Sequence, residues 1–433
     1  MITIVGAGLA GLSSAYHLKT EYTLFERENQ VGGLCRSINI KGYTFDYAPH
    51  ILFTRNPYTR DLLRSLLGDN LQIHARRAYI YMKDTYIKYP FEANLHPLPE
   101  KIKEECIQGV IERPRLEPKN FMEWIQTTMG AGIAKHYMVP YNEKIWKYPL
   151  EQINTDWIAG RIPSPSVEEM RRGATSPQPM DYGPNTEFWY PKHGGIGALA
   201  NSLAEKLSVK FGAEATWFNP SSKGVETLYV EDDVEKNIES DRVLSSLPLP
   251  EIANMMDDVP EEVQTAADNL FYNSLICVMV GVKRPDITDK HWLYFPEKDL
   301  LFNRISFPMN FSSYTTPAGC SSILVEVTYR DKIIDLEEIK KQVLEDLVKA
   351  KIITENDEIE ICTAIDFKYA YVIYDLYQRK NVKVIHEYLV AHNIIPIGRF
   401  GEWEYYNMDK AILSGKNAGE KVNHDINRRT HVQ

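Results

Sequence analysis

The first residues able to do chemistry are glycines. Gly6-Ala7-Gly8-Leu9-Ala10-Gly11 follows the apolar run Ile2-Thr3-Ile4-Val5 and opens a helical pattern that reaches about Leu18. Between a strand and a helix, G-x-G-x-x-G spacing gives each glycine a task. Gly6 makes the tight turn, Gly8 lets the backbone approach a pyrophosphate, and Gly11 lets helix and strand pack closely. The helix N-terminus then offers free N–H groups and a partial positive charge to phosphate oxygens. A second strand pattern, Tyr22-Thr23-Leu24-Phe25, ends in Glu26. An acid there suits a ribose 2′-hydroxyl and disfavours a 2′-phosphate. The chemistry is dinucleotide binding.

A chain of 433 residues has room for two to four domains around such a motif. It has no repeat or low-complexity tract, and its 49 basic and 59 acidic residues give a net charge of −10. That balance argues against a broad nucleic-acid surface and leaves room for a local basic pocket. The longest apolar run, 275–282, is strand-sized, so no membrane span is expected. The chain starts directly on a strand pattern without a signal-peptide profile. Cys35, Cys106, Cys277, Cys320 and Cys362 are scattered without metal-type spacing. They read as reduced thiols in a cytoplasmic protein that holds no metal.

Further loops extend the dinucleotide unit. Gly32-Gly33-Leu34-Cys35-Arg36-Ser37 follows Glu26, and residues 190–197 form a glycine loop feeding a helix over 198–207. Residues 394–401 read as strand and loop before a helix over 408–422. The expected fold is α/β: a Rossmann-type unit made of 1–94, 186–260 and 386–433, interrupted by two insertions. One, 95–185, carries helices near 100–111, 119–129 and 131–139. Its stretch 163–184, rich in Pro, Ser and Gly, reads equally as a lid or as a plain surface connection. The other, 261–385, turns β-rich over 270–330 and predicts an antiparallel sheet.

The Gly32-Gly33 run resembles the second glycine pair of the amine-oxidase-like FAD superfamily; a simple turn is the bland alternative. Other segments resemble UDP-galactopyranose mutases, closest to the eukaryotic type. They are Lys88-Tyr89-Pro90-Phe91-Glu92 with Asn94, Pro140-Tyr141-Asn142-Glu143-Lys144-Ile145-Trp146, Trp157-Ile158-Ala159-Gly160-Arg161, and Trp292-Leu293-Tyr294-Phe295-Pro296-Glu297 with Arg304. Gly183-Pro184-Asn185, 367–371 and 398–405 with Asn407 and Asp409 complete the set, in order along the whole chain.

The resemblance implies FAD, active when reduced, with NAD(P)H as a possible reductant and UDP-galactose as the substrate. Reduced flavin N5 is the implied nucleophile at the anomeric carbon, UDP leaves and returns, and the ring contracts from pyranose to furanose. It implies catalytic roles for His50, Arg161, Arg304 and Arg399, the first two arginines gripping the diphosphate through bidentate forks. Cofactor contacts fall to Gly6, Gly8, Gly11, Glu26, Gly33, Arg36, Gly398, Asn407 and Asp409. Substrate contacts fall to Tyr89, Glu92, Tyr137, Asn142, Asn185, Trp292, Tyr294, Tyr371 and Tyr405, besides Arg161 and Arg304.

The chain departs from the mutase pattern at several points. Ala48-Pro49 precedes His50 where a glycine is usual, and Glu92 replaces a glutamine beside the base. Ala370 and Tyr137 stand for glycine and phenylalanine, and Ala78 for a serine of enzymes that accept NADPH. These leave open another nucleotide-sugar as substrate. An oxidase or desaturase of the same superfamily, and a flavin-bound sensor, are the other readings.

Overall fold

The computed structural model describes residues 1–158, 162, 164, 166–178, 186–332 and 334–432. The first apolar run is the strand Ile2–Val5, buried throughout because both its faces are covered. It lies at the centre of a five-stranded sheet, between Tyr22–Glu26 and Arg242–Ser245, with Lys210–Phe211 and Ile394–Pro396 at the edges. Every pairing in this sheet is parallel. The glycine loop therefore leaves the central strand where its two neighbours diverge, the usual place for a ligand crevice in an open α/β sheet.

The helix Leu9–His17 packs on the long helix Met408–Val432. Ser13 Oγ donates to the Ile412 carbonyl at 2.7 Å and Ser14 Oγ to the Gly415 carbonyl at 3.1 Å. A Cβ on Gly415 would lie 2.1 Å from the Ala10 carbonyl oxygen, so only glycine permits this approach.

A seven-stranded sheet covers the ligand end of the first. Its order is Ile359–Val372, Tyr272–Val282, Ser321–Tyr329, Arg304–Ser306, Trp292–Tyr294, Ala78–Met82 and Thr85–Lys88. The pairing is antiparallel except between Trp292–Tyr294 and Ala78–Met82, which run parallel. It thus draws two strands from the stretch 78–88, which the sequence grouped with the cofactor unit. Helix Leu336–Lys349, with Asp335 capping its first N–H groups, supplies apolar side chains to one face of this sheet. A three-stranded meander, Ala213–Ser221, Gly224–Glu231 and Val234–Ser240, was not expected. Its second turn carries Asp232 and Asp233 at φ 51° and 59°, the left-handed pair of a tight hairpin.

The helical insertion contains Glu100–Ile111 and Phe121–Ile133. Gly130 interrupts the second helix at φ 75° and ψ 166°, where the sequence placed a boundary. A Cβ there would lie 2.1 Å from the Gly109 carbonyl oxygen; the helices cross on glycine. The chain continues through a π-helical turn, Ala134–Met138, into Val139–Trp146. No described helix is long and apolar enough to cross a membrane.

Candidate active site

The C-terminal ends of the parallel strands open onto a cavity of about 1030 Å³. Gly6 sits at φ +90°, which makes the turn possible, and a Cβ on Gly11 would fall 1.9 Å from the Gly6 carbonyl oxygen. A Cβ on Gly8 would meet nothing within 4 Å, because that position faces the cavity. The second glycine pair closes the cradle: Gly32 N–H donates to the Ala7 carbonyl at 2.8 Å, and Gly32 bridges Gly8. Glu26 is 8% exposed and accepts from Ala7 N–H at 2.9 Å and Glu28 N–H at 3.1 Å. Arg36 donates to the Gly33 carbonyl at 2.9 Å and lies over the Tyr47 ring. Asp46 accepts from Ser37, Tyr190 and Ile196 N–H, which ties the 190–197 loop to the same wall. The helix N-terminus, the open space at Gly8 and the acid at Glu26 fit a dinucleotide.

Part of the cavity lining is cationic and aromatic. Tyr371 and Tyr405 stack at 6.0 Å, and Tyr89 and Tyr294 meet at 5.7 Å. Arg399 donates to the carbonyls of Tyr406 at 3.0 Å and Ala370 at 2.9 Å. It lies over the rings of Tyr371, Phe400 and Tyr405. Its Nε–H is buried without a hydrogen-bond partner, and it makes no ion pair with a carboxylate among the described residues. Arg304 is different. Its Nε and Nη2 both donate to Glu326, the latter at 2.8 Å, and Glu326 is 1% exposed. The side-on fork, Nε with Nη2, is therefore already taken, and the end-on edge, Nη1 with the second Nη2–H, remains for a diphosphate.

His50 lines the cavity, its Nδ1 2.8 Å from the Ala48 carbonyl oxygen. A carbonyl can only accept, so Nδ1 carries the proton and Nε2 is an acceptor. Burial, then the nearby Arg399 and Arg304, outweigh that hydrogen bond and push the imidazole down to about 4. The folded-state value lies below the ordinary one. Its contribution to stability is thus complete above about pH 6.5 and is lost as pH falls through about 4. We expect the ring signals of His50 to stay fixed in an NMR titration from about pH 8 to 5.5. A midpoint near the ordinary value would overturn this placement.

Gly6, Gly8, Glu26, Gly33, Arg36, His50, Gly398 and Arg399 all line the cavity. So do Tyr89, Trp292, Tyr294, Arg304, Tyr371, Tyr405 and Asn407. Gly11 acts behind the wall, and Asp409 sits in the first turn of the Met408–Val432 helix outside it. Tyr137 lies outside the lining, stacked on Phe91 at 4.9 Å. Glu92, beside it, is 7% exposed with Oε1 unpartnered, and burial pushes its carboxyl up to about 7. Asn142 donates to the Met138 carbonyl and accepts from Trp146 Nε1, so its amide braces the helical insertion and does not reach the cavity. Arg161 and Asn185 lie outside the described residues, as does much of the 163–184 stretch.

Among the lining residues the sequence did not single out, two carry the site's electrostatics. Arg76, 4% exposed, lies over the Tyr89 ring and donates to the Tyr89 carbonyl. Glu326 is the other. A lone carboxylate inside the apolar run 321–329 was the available signal.

The chain belongs to the family of flavin containing amine oxidoreductases, whose model matches residues 9–423. Among solved structures it is similar to a reduced UDP-galactopyranose mutase, with 25% identity and a TM-score of 0.91 over 98% of this chain and 93% of that one. It shares the fold of a CLA-producing fatty acid isomerase from P. acnes, at 14% identity, TM-score 0.65, 97% of this chain and 98% of that one. Among curated proteins it is 24% identical over 387 residues to 4,4′-diapophytoene desaturase (4,4′-diaponeurosporene-forming) of Staphylococcus aureus strain COL, covering 75% of this chain and 73% of that one. The superfamily and the mutase-like fold expected from the motifs are thus met.

Proposed function

We propose that this chain is a flavin-dependent mutase that interconverts UDP-galactopyranose and UDP-galactofuranose. One observation carries the reading: the guanidinium groups of Arg76, Arg304 and Arg399 line one cavity together with Tyr89, Tyr294, Tyr371 and Tyr405. Desolvating such cations is costly, and a polyene or acyl chain gains nothing from them. A diphosphate does, most of all as it gathers charge on leaving.

Reduced FAD, when bound, supplies an electron-rich N5 toward a sugar carbon. Gly8 and the Leu9–His17 helix N-terminus would hold its pyrophosphate and Glu26 its ribose. Arg304 would offer its end-on edge, Nη1 and the second Nη2–H, to the departing diphosphate, with Arg161 and Asn185 assigned beside it from the motifs. Arg399, a cation held by carbonyls and rings, would stand against the flavin. Neutral His50 accepts a hydrogen bond at Nε2 from a hydroxyl or N–H. Burial pushes the phenols of Tyr89 and Tyr371 up, so both stay protonated donors. We group 1–94, 186–260 and 386–433 as the cofactor unit, with 95–185 and 261–385 forming the substrate walls.

The test is incubation of the protein with UDP-galactofuranose and FAD, oxidised or reduced by dithionite, and chromatography of the nucleotide-sugars. Conversion confined to the reduced sample is expected. The desaturase similarity favours a second reading, in which an apolar polyene is oxidised. Stoichiometric flavin reduction by such a substrate, with no sugar conversion, would reject the mutase.

A further inference from the structure

We infer that Glu326 is a positioning residue that occupies the Nε–Nη2 edge of the Arg304 guanidinium, so that its end-on edge, Nη1 with the second Nη2–H, meets a diphosphate in the cavity. The inference rests on the mutase reading. Glu326 is the single acid of Ser321–Tyr329, a strand buried at every position but the last. A carboxylate in such a strand persists only if it is paired. Register supplies the partner: Arg304 lies directly opposite on one neighbouring strand, and Cys277 on the other.

The pair uses Nε and Nη2 of Arg304, and no described residue bonds Nη1. Both residues line the cavity. Two consequences follow from this side-on geometry. The guanidinium cannot turn its Nε edge to the cavity, so a phosphate is met end-on, by Nη1–H and the second Nη2–H, and the contact is fixed in direction. The carboxylate also balances the cation before substrate binds, so resting affinity for the leaving group stays moderate and product release is not impeded. Tyr371, whose phenol Glu326 helps push up, completes the surroundings of the pair.

Glu326→Gln keeps the volume and removes the charge. In the flavin-loaded protein, calorimetric titration with UDP should show binding tightened by about threefold or more. The kcat should fall on the order of tenfold, because the amide offers one acceptor oxygen where the carboxylate offered two, and the side-on pair is lost. Glu326→Asp keeps the charge but draws the carboxylate back, and should lower kcat without tightening UDP. In an Arg304→Ala background, Glu326→Gln should change neither quantity further. Unaltered kcat and UDP affinity in Glu326→Gln, or an equal loss with and without Arg304, overturns the inference. A wild-type protein that converts no nucleotide-sugar and binds no UDP overturns the mutase reading itself, and the inference with it.

Discussion

Gly11→Val should yield protein without flavin, and unfolded at denaturant concentrations the wild type survives. The geometry leaves no escape. A Cβ at position 11 lies 1.9 Å from the Gly6 carbonyl oxygen and 3.1 Å from its carbon, both backbone atoms, and 3.5 Å from Ile4 Cγ2. A side-chain clash can relax through rotamers, but here strand and helix must part. Overpacking of this kind costs about 1–3 kcal/mol where side chains can yield and more where backbone must move. A second variant separates folding from binding. Gly8→Ala meets nothing within 4 Å, so the apoprotein should melt as the wild type does. Its methyl nevertheless occupies the space a pyrophosphate needs, and flavin content should fall. Visible absorbance after purification and a urea titration of the apoproteins measure both. Gly11→Val with full flavin content would refute the dinucleotide assignment.

Arg304→Ala should keep its flavin and lose turnover by about ten- to a hundredfold, the worth of one charge-assisted contact to a leaving anion. The same loss is expected for Arg161→Ala, from its motif alone. Arg304→Ala has a further effect on stability. Glu326, 1% exposed, would be left as an unbalanced buried carboxylate, and removing one partner of such a pair typically costs about 3–5 kcal/mol. Arg304→Ala with Glu326→Ala together should recover most of that stability and none of the turnover. Full turnover in both single arginine variants would show that the diphosphate lies elsewhere.

What was legible in the sequence was what short-range chemistry fixes. Gly6, Gly8 and Gly11 work within one turn, and Glu26 ends the adjacent strand, so spacing alone placed them. The helices Glu100–Ile111 and Gly197–Ala204, expected over 100–111 and 198–207, followed from apolar period. Contacts made across strands were not legible. Arg304 and Glu326 meet only through the register of two strands, so the arginine was read as having a free fork. Arg76 follows the strand Leu71–Ala75 with no motif around it. Asn142 stood in a matching motif, yet its amide is consumed by Met138 and Trp146, which no spacing reveals. The meander over 213–240 was not legible because its strands alternate polar and apolar residues and contain no long apolar run.

The parallel sheet also dictates an order of assembly. Ile2–Val5 gains a neighbour at once in Tyr22–Glu26, but Arg242–Ser245 and Ile394–Pro396 leave the ribosome far later. The Leu9–His17 helix likewise waits for Gly415 and Gly419. Such distant pairing makes the dinucleotide cradle slow to form, and it leaves an apolar strand open to chaperones during synthesis. Flavin capture should therefore follow synthesis of the whole chain, and cells starved of riboflavin should accumulate this polypeptide as a loosely closed apoprotein that limited proteolysis cuts faster than the flavin-loaded form.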